Sequence, residues 1–162
     1  MRSVITRTLS ALVFAAALGT PLRAQEMPDS GAYLAARIAE SENDFRAAAS
    51  WYGRAIIADA GNPTLLDGAI LAEIGSGDFA LAIEVAKMRR DVGIELGLDP
   101  SQLAEITLLA DEAARGDYAA IQSASVAGRD IGDLANQLVL AWAKVGDGKM
   151  SEAIAAFLNG PA

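Results

Sequence analysis

The chain of 162 residues contains no cysteine and no histidine. Without cysteine it cannot form a disulfide, a thiolate nucleophile, a Cys-based metal site or a lipid anchor attached through a Cys at a cleavage point. Without histidine it lacks the commonest general base and the commonest metal ligand. These absences exclude Ser-His triads and imidazole zinc sites. We therefore predict a non-enzymatic protein with no cofactor and no metal.

Positive charge is also scarce, because 13 Lys and Arg residues face 21 Asp and Glu residues and leave a formal net charge of −8. Nucleic-acid affinity comes largely from Lys and Arg residues that neutralise phosphates. We therefore expect no nucleic-acid partner. The acidity is typical of a protein that must stay soluble.

Long hydrophobic runs are missing, and the longest apolar stretch, residues 9–18, has ten residues. About 20 are needed to span a bilayer. The run follows the basic residues Arg2 and Arg7 and leads to small residues that end at Ala24, which is the layout of a secretory signal peptide. We predict a leader over residues 1–24 rather than a retained membrane anchor. No stable anchor is expected after cleavage, and the mature protein is expected to be periplasmic or secreted.

The remaining segment, residues 25–162, is rich in Ala and Leu and has no run that alternates apolar and polar residues for the length of a strand. Ala and Leu have high helix propensities, and alternation is the main signal of a half-buried strand. The sequence therefore predicts an all-α fold.

A turn-like string recurs along this segment. It reads Asn43-Asp44-Phe45, Gly77-Asp78-Phe79 and Gly116-Asp117-Tyr118, with a looser version at Gly146-Asp147-Gly148-Lys149-Met150. The first two lie 34 residues apart and the third follows after 39. Glycine suits the left-handed geometry that ends a helix, and Asp can cap the next one. We predict these roles for the Gly and Asp at 77–78 and 116–117.

This pattern resembles the tetratricopeptide repeat, a 34-residue pair of antiparallel helices. After the first turn, Ala48, Tyr52 and Ala55 match the small-aromatic-small triplet of that family. The resemblance implies a right-handed α-solenoid of about four helical hairpins, over residues 29–62, 63–96, 100–128 and 133–159. It extends to the N-terminal part of larger exported repeat proteins of Gram-negative bacteria, so the chain could correspond to the start of a longer one.

The motif also implies where side chains pack. Small residues at Ala48, Ala82 and Ala153 are predicted at close helix crossings. Phe45, Phe79 and Tyr118 are predicted to wedge between consecutive hairpins. Two further predictions are that Trp142, four residues before Gly146, is buried and that Asp99 caps a helix with Pro100 in its first turn.

The resemblance implies a protein or peptide partner bound in the concave groove. The matching groove positions are Tyr33, Arg37 and Glu40 in repeat one and Asp67 and Leu71 in repeat two. Ile154, Phe157 and Leu158 would have no following hairpin to cover them, so binding through the C-terminal end is a further possibility. The alternative is a self-assembling structural module, with a homodimer formed through that end.

Overall fold

The computed structural model describes residues 29–126, 129 and 131–158. These residues form α-helices and no strand, which confirms the all-α prediction for this part of the chain. The helices are α1 (Ser30–Ser41), α2 (Phe45–Ala58), α3 (Pro63–Ser76), α4 (Phe79–Leu96), α5 (Gln102–Ala114), α6 (Tyr118–Val126), α7 (Asp133–Gly146) and α8 (Met150–Leu158). The predicted leader lies outside the described residues, as do residues 159–162. Within the described part, no helix combines the length and apolar character needed to cross a membrane.

Each helix packs against the next one along the chain, from α1 to α8, and α3 also contacts α5. Each predicted repeat range encloses one pair, which we call hairpin 1 (α1–α2), hairpin 2 (α3–α4), hairpin 3 (α5–α6) and hairpin 4 (α7–α8). A continuous apolar core runs from α1 to α5 and includes fully buried Tyr52, Leu66 and Ile70. Contacts between chain neighbours therefore hold this stack together.

One turn geometry joins the two helices of every hairpin. A residue with positive φ ends the first helix, namely Asn43 (59°), Gly77 (89°), Gly116 (70°) and Gly148 (77°). The next residue then donates its amide to the carbonyl five positions earlier, at 2.9, 2.9, 2.9 and 2.8 Å respectively. This is the Schellman pattern of helix ends. The left-handed roles predicted for Gly77 and Gly116 are confirmed.

Aspartate caps the second helix in three of these turns. The side chains of Asp44, Asp78 and Asp117 accept hydrogen bonds from the amides three residues later, at 3.0, 3.1 and 3.1 Å. The capping predicted for Asp78 and Asp117 is confirmed. In the fourth turn, Lys149 takes the position of the Asp, because Gly148 has the positive φ.

The prediction that Trp142 is buried is wrong, since the residue is 71% exposed. The prediction places Trp142 by its distance from Gly146. However, α7 continues through Gly146, and the left-handed residue is Gly148. A shift of two residues turns a side chain about 200° around a helix. Trp142 therefore lies on the surface rather than in the core.

Two of the three predicted aromatic wedges are confirmed. A Cβ added at Gly75 would lie 2.4 Å from the Phe45 ring, and a Cβ added at Gly146 would lie 2.4 Å from the Tyr118 ring. The prediction is wrong for Phe79, which is 61% exposed. Gly75 and Gly146 both stand two residues before a left-handed residue. The third such position is Ala114, where a methyl group stands in place of the glycine hydrogen.

The small residues predicted at helix crossings, Ala48, Ala82 and Ala153, are all buried. The predicted capping by Asp99 is wrong, because α5 begins at Gln102 and its cap is Ser101. The Ser101 hydroxyl accepts from the Ala104 amide at 3.3 Å and donates to Asp67 at 2.6 Å. This bond to α3 fixes the start of α5 beyond Pro100.

Candidate binding groove

The first helices of the four hairpins share a register that is set by the left-handed residue at their ends. The positions ten residues before it are Tyr33, Asp67, Ile106 and Leu138, and those six residues before it are Arg37, Leu71, Ala110 and Trp142. Residues four apart lie on one face of a helix. None of these eight residues is buried. The predicted groove positions in hairpins 1 and 2 therefore have counterparts in hairpins 3 and 4.

Hairpin 1 brings three of the predicted residues together around Tyr52. Arg37 pairs with Glu40 at 2.8 Å, and the Tyr52 hydroxyl donates to the same carboxylate oxygen at 2.7 Å. The Tyr33 ring lies 6.4 Å from the Tyr52 ring, centroid to centroid, at a tilt of 58°. Tyr33, Arg37 and Glu40 thus form one polar cluster.

The electrostatics of this cluster are internally satisfied. Burial, together with the hydrogen bond to Glu40, raises the pKa of Tyr52 to about 12. The hydrogen-bonding interaction with Tyr52 and the charge of Glu40 raise the pKa of Arg37. Oε2 of Glu40 therefore accepts its hydrogen bonds from within hairpin 1, while Tyr33 and Arg37 remain exposed.

Asp67 belongs to a different cluster. Its carboxylate accepts hydrogen bonds from Arg89 Nε at 3.2 and 3.1 Å and from the Ser101 hydroxyl. Asp67 therefore holds α4 and the start of α5 against α3. Leu71, one turn further along α3, is 41% exposed.

Hairpins 3 and 4 present an apolar surface at the same register positions. A hollow of about 530 Å³ lies between α5 and α7, and we call it the α5–α7 groove. It is lined by Ile106, Leu109, Ala110, Ala113, Tyr118, Ile121, Leu138, Val139, Trp142, Ala143, Val145 and Gly146. None of these residues carries a charge. Its volume falls within the range of ordinary ligand sites.

The apolar surface continues onto α8. A second hollow of about 260 Å³ shares Leu138, Trp142 and Val145 with the groove. It adds Met150, Ile154, Phe157 and Leu158, each more than half exposed, together with buried Ala141 and Ala153. Contiguous exposed apolar surface of this kind marks interaction sites in soluble proteins.

Ile106, Leu138 and Trp142 are the groove residues that sequence reasoning missed. Ile106 could be found by counting back from Gly116, and counting back from Gly148 instead of Gly146 places Leu138 and Trp142 in line with Asp67 and Leu71. The choice between the two glycines depends on which one has a positive φ. That choice could not be read from the string Gly-Asp-Gly alone.

One buried carboxyl group stands apart from the groove. Glu73 is 7% exposed, and burial, with a smaller effect of the Asp78 charge, raises its pKa. Carboxyl groups with raised pKa values occur at catalytic sites and also in structural settings. Within the described residues, no cluster of three or more Asp or Glu side chains could hold a metal ion.

No protein-family model matches this chain, and no curated protein matches it either.

Proposed function

We propose that this protein is a non-enzymatic interaction module of the tetratricopeptide-repeat kind, a right-handed α-solenoid that binds a partner protein in the α5–α7 groove. The repeat assignment is supported by the turn geometry that recurs four times. It is further supported by the Asp caps in three turns and by the buried alanines at the helix crossings.

The observation that carries the binding proposal is the uncharged wall of the α5–α7 groove in a chain of formal net charge −8. A groove between two helices suits the apolar face of a third helix, which is a recurrent mode of recognition. Trp142 supplies the largest exposed apolar side chain there, and Trp is enriched among residues that dominate interface energies. We therefore expect an amphipathic helix of the partner to lie across α5 and α7.

The polar residues of hairpins 1 and 2 fit a supporting role. Tyr33, Arg37 and Leu71 are exposed at the same register positions and can contact a ligand that extends beyond the groove. Glu40 and Asp67 are engaged in bonds within the chain, so they orient their neighbours.

Mutation of Trp142 tests the groove directly. We expect that a partner captured by the wild-type protein is lost with Trp142→Asp, because a charge in the groove would be buried without a counter-charge. The matched control is Ile57→Asp on α2, where the side chain is 81% exposed and outside the groove. Binding of the purified partner would be measured by calorimetry. Equal binding by the two variants would refute the proposal.

Self-association is a second candidate, favoured by the exposure of Ile154, Phe157 and Leu158 on α8. A homodimer would cover these side chains with their copies in a second chain. Size-exclusion chromatography with light scattering distinguishes the candidates. A concentration-dependent dimer that Phe157→Asp abolishes would favour self-association, whereas a monomer at all concentrations would exclude it.

We further propose that the protein is exported to the periplasm or secreted, on the basis of its first 24 residues. Deleting residues 1–24 should leave the protein in the cytoplasm, because the apolar run that directs export is removed. Cell fractionation with immunodetection measures the outcome. Continued export of the truncated chain would contradict the leader assignment.

A further inference from the structure

A further cavity, which shares no lining residue with the α5–α7 groove, is lined by three arginines. It has a volume of about 330 Å³ and lies beside the end of α4 and the start of α5. Its lining is Arg89, Arg90, Gly93, Ile94, Leu98, Pro100, Ser101, Glu105, Ala124 and Arg129. Thirteen Lys and Arg residues occur in the whole chain, three of them before residue 24. Three of the remaining ten therefore line one small cavity.

Carboxylates fix two of these arginines in place. Arg90 donates from Nε and Nη2 to the two oxygens of Glu105, both at 2.9 Å. Arg129 pairs with Glu105 at 2.7 Å and with Glu112 through two hydrogen bonds of 2.6 and 2.9 Å. Paired guanidinium groups are held in defined orientations, so a ligand would meet positive groups whose positions are fixed.

Arg89 has a donor that the described residues do not satisfy. Its Nε bonds to Asp67, and its side chain is 8% exposed. Its Nη1 is buried and has no hydrogen-bond partner among the described residues. Gly93 makes room for this nitrogen, because a Cβ at that position would lie 3.0 Å from it. A buried donor without an acceptor is unfavourable, so an acceptor supplied by a ligand would stabilise the site.

A purely structural role explains only part of this arrangement. Asp67, Glu105 and Glu112 balance the three arginines in number and hold α3, α4 and α5 together. However, Glu105 is the only acidic residue in the lining of the cavity, against three arginines. Three guanidinium groups and one carboxylate therefore line the cavity, and the unsatisfied Nη1 of Arg89 lies beside Gly93, which is also part of the lining.

We propose that this cavity binds a small carboxylate that carries an apolar group. The carboxylate would lie towards the guanidinium groups, with Arg90 the most accessible because its side chain is 33% exposed. The apolar group would pack against Ile94, Leu98 and Pro100. These side chains favour an organic carboxylate over inorganic phosphate, because phosphate has no apolar group to pack against them. The site is separate from the α5–α7 groove, and its occupancy does not depend on a protein partner.

Titration of the full chain with hexanoate tests this proposal. The amide resonances of Gly93 and Ser101 should shift and saturate in NMR spectra, while those of α8 stay fixed. Hexanol, which lacks the charge, and inorganic phosphate, which lacks the tail, should each bind at least about tenfold more weakly. Equal binding of hexanol would show an apolar crevice only, and equal binding of phosphate would show a simple cation cluster. Either result, or no saturable shift, would overturn the proposal.

Paired substitutions on α4 locate the site. Ile94 lines the cavity and is 74% exposed, whereas Leu96 is outside it and 55% exposed. Ile94→Asp places a carboxylate one turn from Arg90 and should weaken hexanoate binding by about tenfold or more, because it competes for the guanidinium groups. Leu96→Asp adds the same charge outside the cavity and should leave the affinity within about twofold. Similar losses in both variants would contradict the proposal.

The neutral variant Ile94→Asn separates charge from lost apolar contact, and it should bind hexanoate better than Ile94→Asp does. Arg90→Gln gives a second test that introduces no new charge in the cavity, and it should weaken hexanoate more than hexanol. Circular dichroism melts establish that each variant is folded before its affinity is compared. Equal effects of Arg90→Gln on the two probes would argue against recognition of the carboxylate.

Discussion

Among single residues, two helical glycines differ in how closely other atoms approach them. Gly68 on α3 faces the Tyr52 ring so closely that a Cβ would lie 2.4 Å from Cζ. Gly53 on α2, by contrast, has no atom within 4 Å of the place where its Cβ would be. Both glycines are helical, so a change to alanine has the same effect on helix propensity at the two positions, but it creates a clash only at Gly68.

Gly68→Ala should destabilise the protein by about 1–3 kcal/mol, because the buried Tyr52 ring cannot move away without strain. The matched change Gly53→Ala should instead stabilise it by about 0.5–1 kcal/mol, since alanine is the better helix former. Urea denaturation of the two variants measures both values. A stabilising effect of Gly68→Ala would show that Tyr52 does not pack on α3 as described.

The buried carboxyl group of Glu73 should make stability depend on pH. Burial raises its pKa in the folded state above the value in the unfolded state. The folded state therefore binds this proton more tightly, and the resulting stability is present at low pH and is lost as the pH rises through the folded pKa. At neutral pH the charged group opposes folding.

Glu73→Gln should therefore raise the Tm at about pH 7.5, and the gain should shrink towards zero at about pH 4, near the ordinary pKa of glutamate. Thermal melts of wild type and variant at the two pH values measure the difference. A variant that is less stable than wild type at pH 7.5 would mean that the Glu73 carboxylate is favourably paired.

Among helices, the four hairpin turns share one backbone geometry but differ in side-chain capping. Asp44, Asp78 and Asp117 cap α2, α4 and α6, whereas Lys149 precedes α8. The amide of Lys149 still donates to the Lys144 carbonyl at 2.8 Å, so the turn forms without an Asp. The same turn therefore forms at Lys149, although the Asp that marks the other three turns in the sequence is absent there.

Lys149→Asp should raise the Tm by adding the missing cap to α8, because a side-chain oxygen would accept from an unpaired amide of the first turn. The existing pair between Lys149 and Asp147 is exposed, and exposed pairs contribute little. Asp78→Ala is the matched converse and should cost about 1 kcal/mol. Calorimetric melts measure both changes. A lower Tm for Lys149→Asp would contradict the register assigned to this turn.

The helices could be predicted from the sequence because the signals that start and end them are local. Glycine at 77 and 116 and Asp at 78 and 117 act through residues within five positions of them. Two of the errors have separate causes. α5 begins beyond Pro100, where Ser101 bonds to Asp67 of α3, and Trp142 is exposed because Gly148 rather than Gly146 has the positive φ.

Across the whole molecule, the aligned face of the first helices changes character along the stack. Hairpin 1 presents Tyr33 and Arg37 there, and hairpin 2 presents Asp67 and Leu71. Hairpins 3 and 4 present only uncharged residues, which form the α5–α7 groove. The polar half could be located from the family pattern. In the apolar half, hairpin 3 could be aligned from Gly116, whereas hairpin 4 could not, because two candidate glycines in its turn allowed two registers that differ by about half a turn of helix.

Hairpins 1 and 2 differ from hairpins 3 and 4 in whether their polar and apolar side chains have partners within the chain. The ion pairs of the first half, such as Arg37 with Glu40, engage its polar groups within the chain. The second half leaves Trp142 and Phe157 exposed, at 71% and 61%. Binding of a partner that buries these side chains would be favourable, because it removes apolar surface from water.

The most direct test of the central claim is site-specific photo-crosslinking in cells that express the protein. A photoreactive phenylalanine analogue is placed at position 142 in the groove and, in a separate variant, at position 57 on α2. We predict a discrete crosslinked product from position 142, containing a second, different protein, and none from position 57. Crosslinks of equal yield from both positions, or products containing only this chain, would contradict the proposal that the α5–α7 groove binds a partner protein.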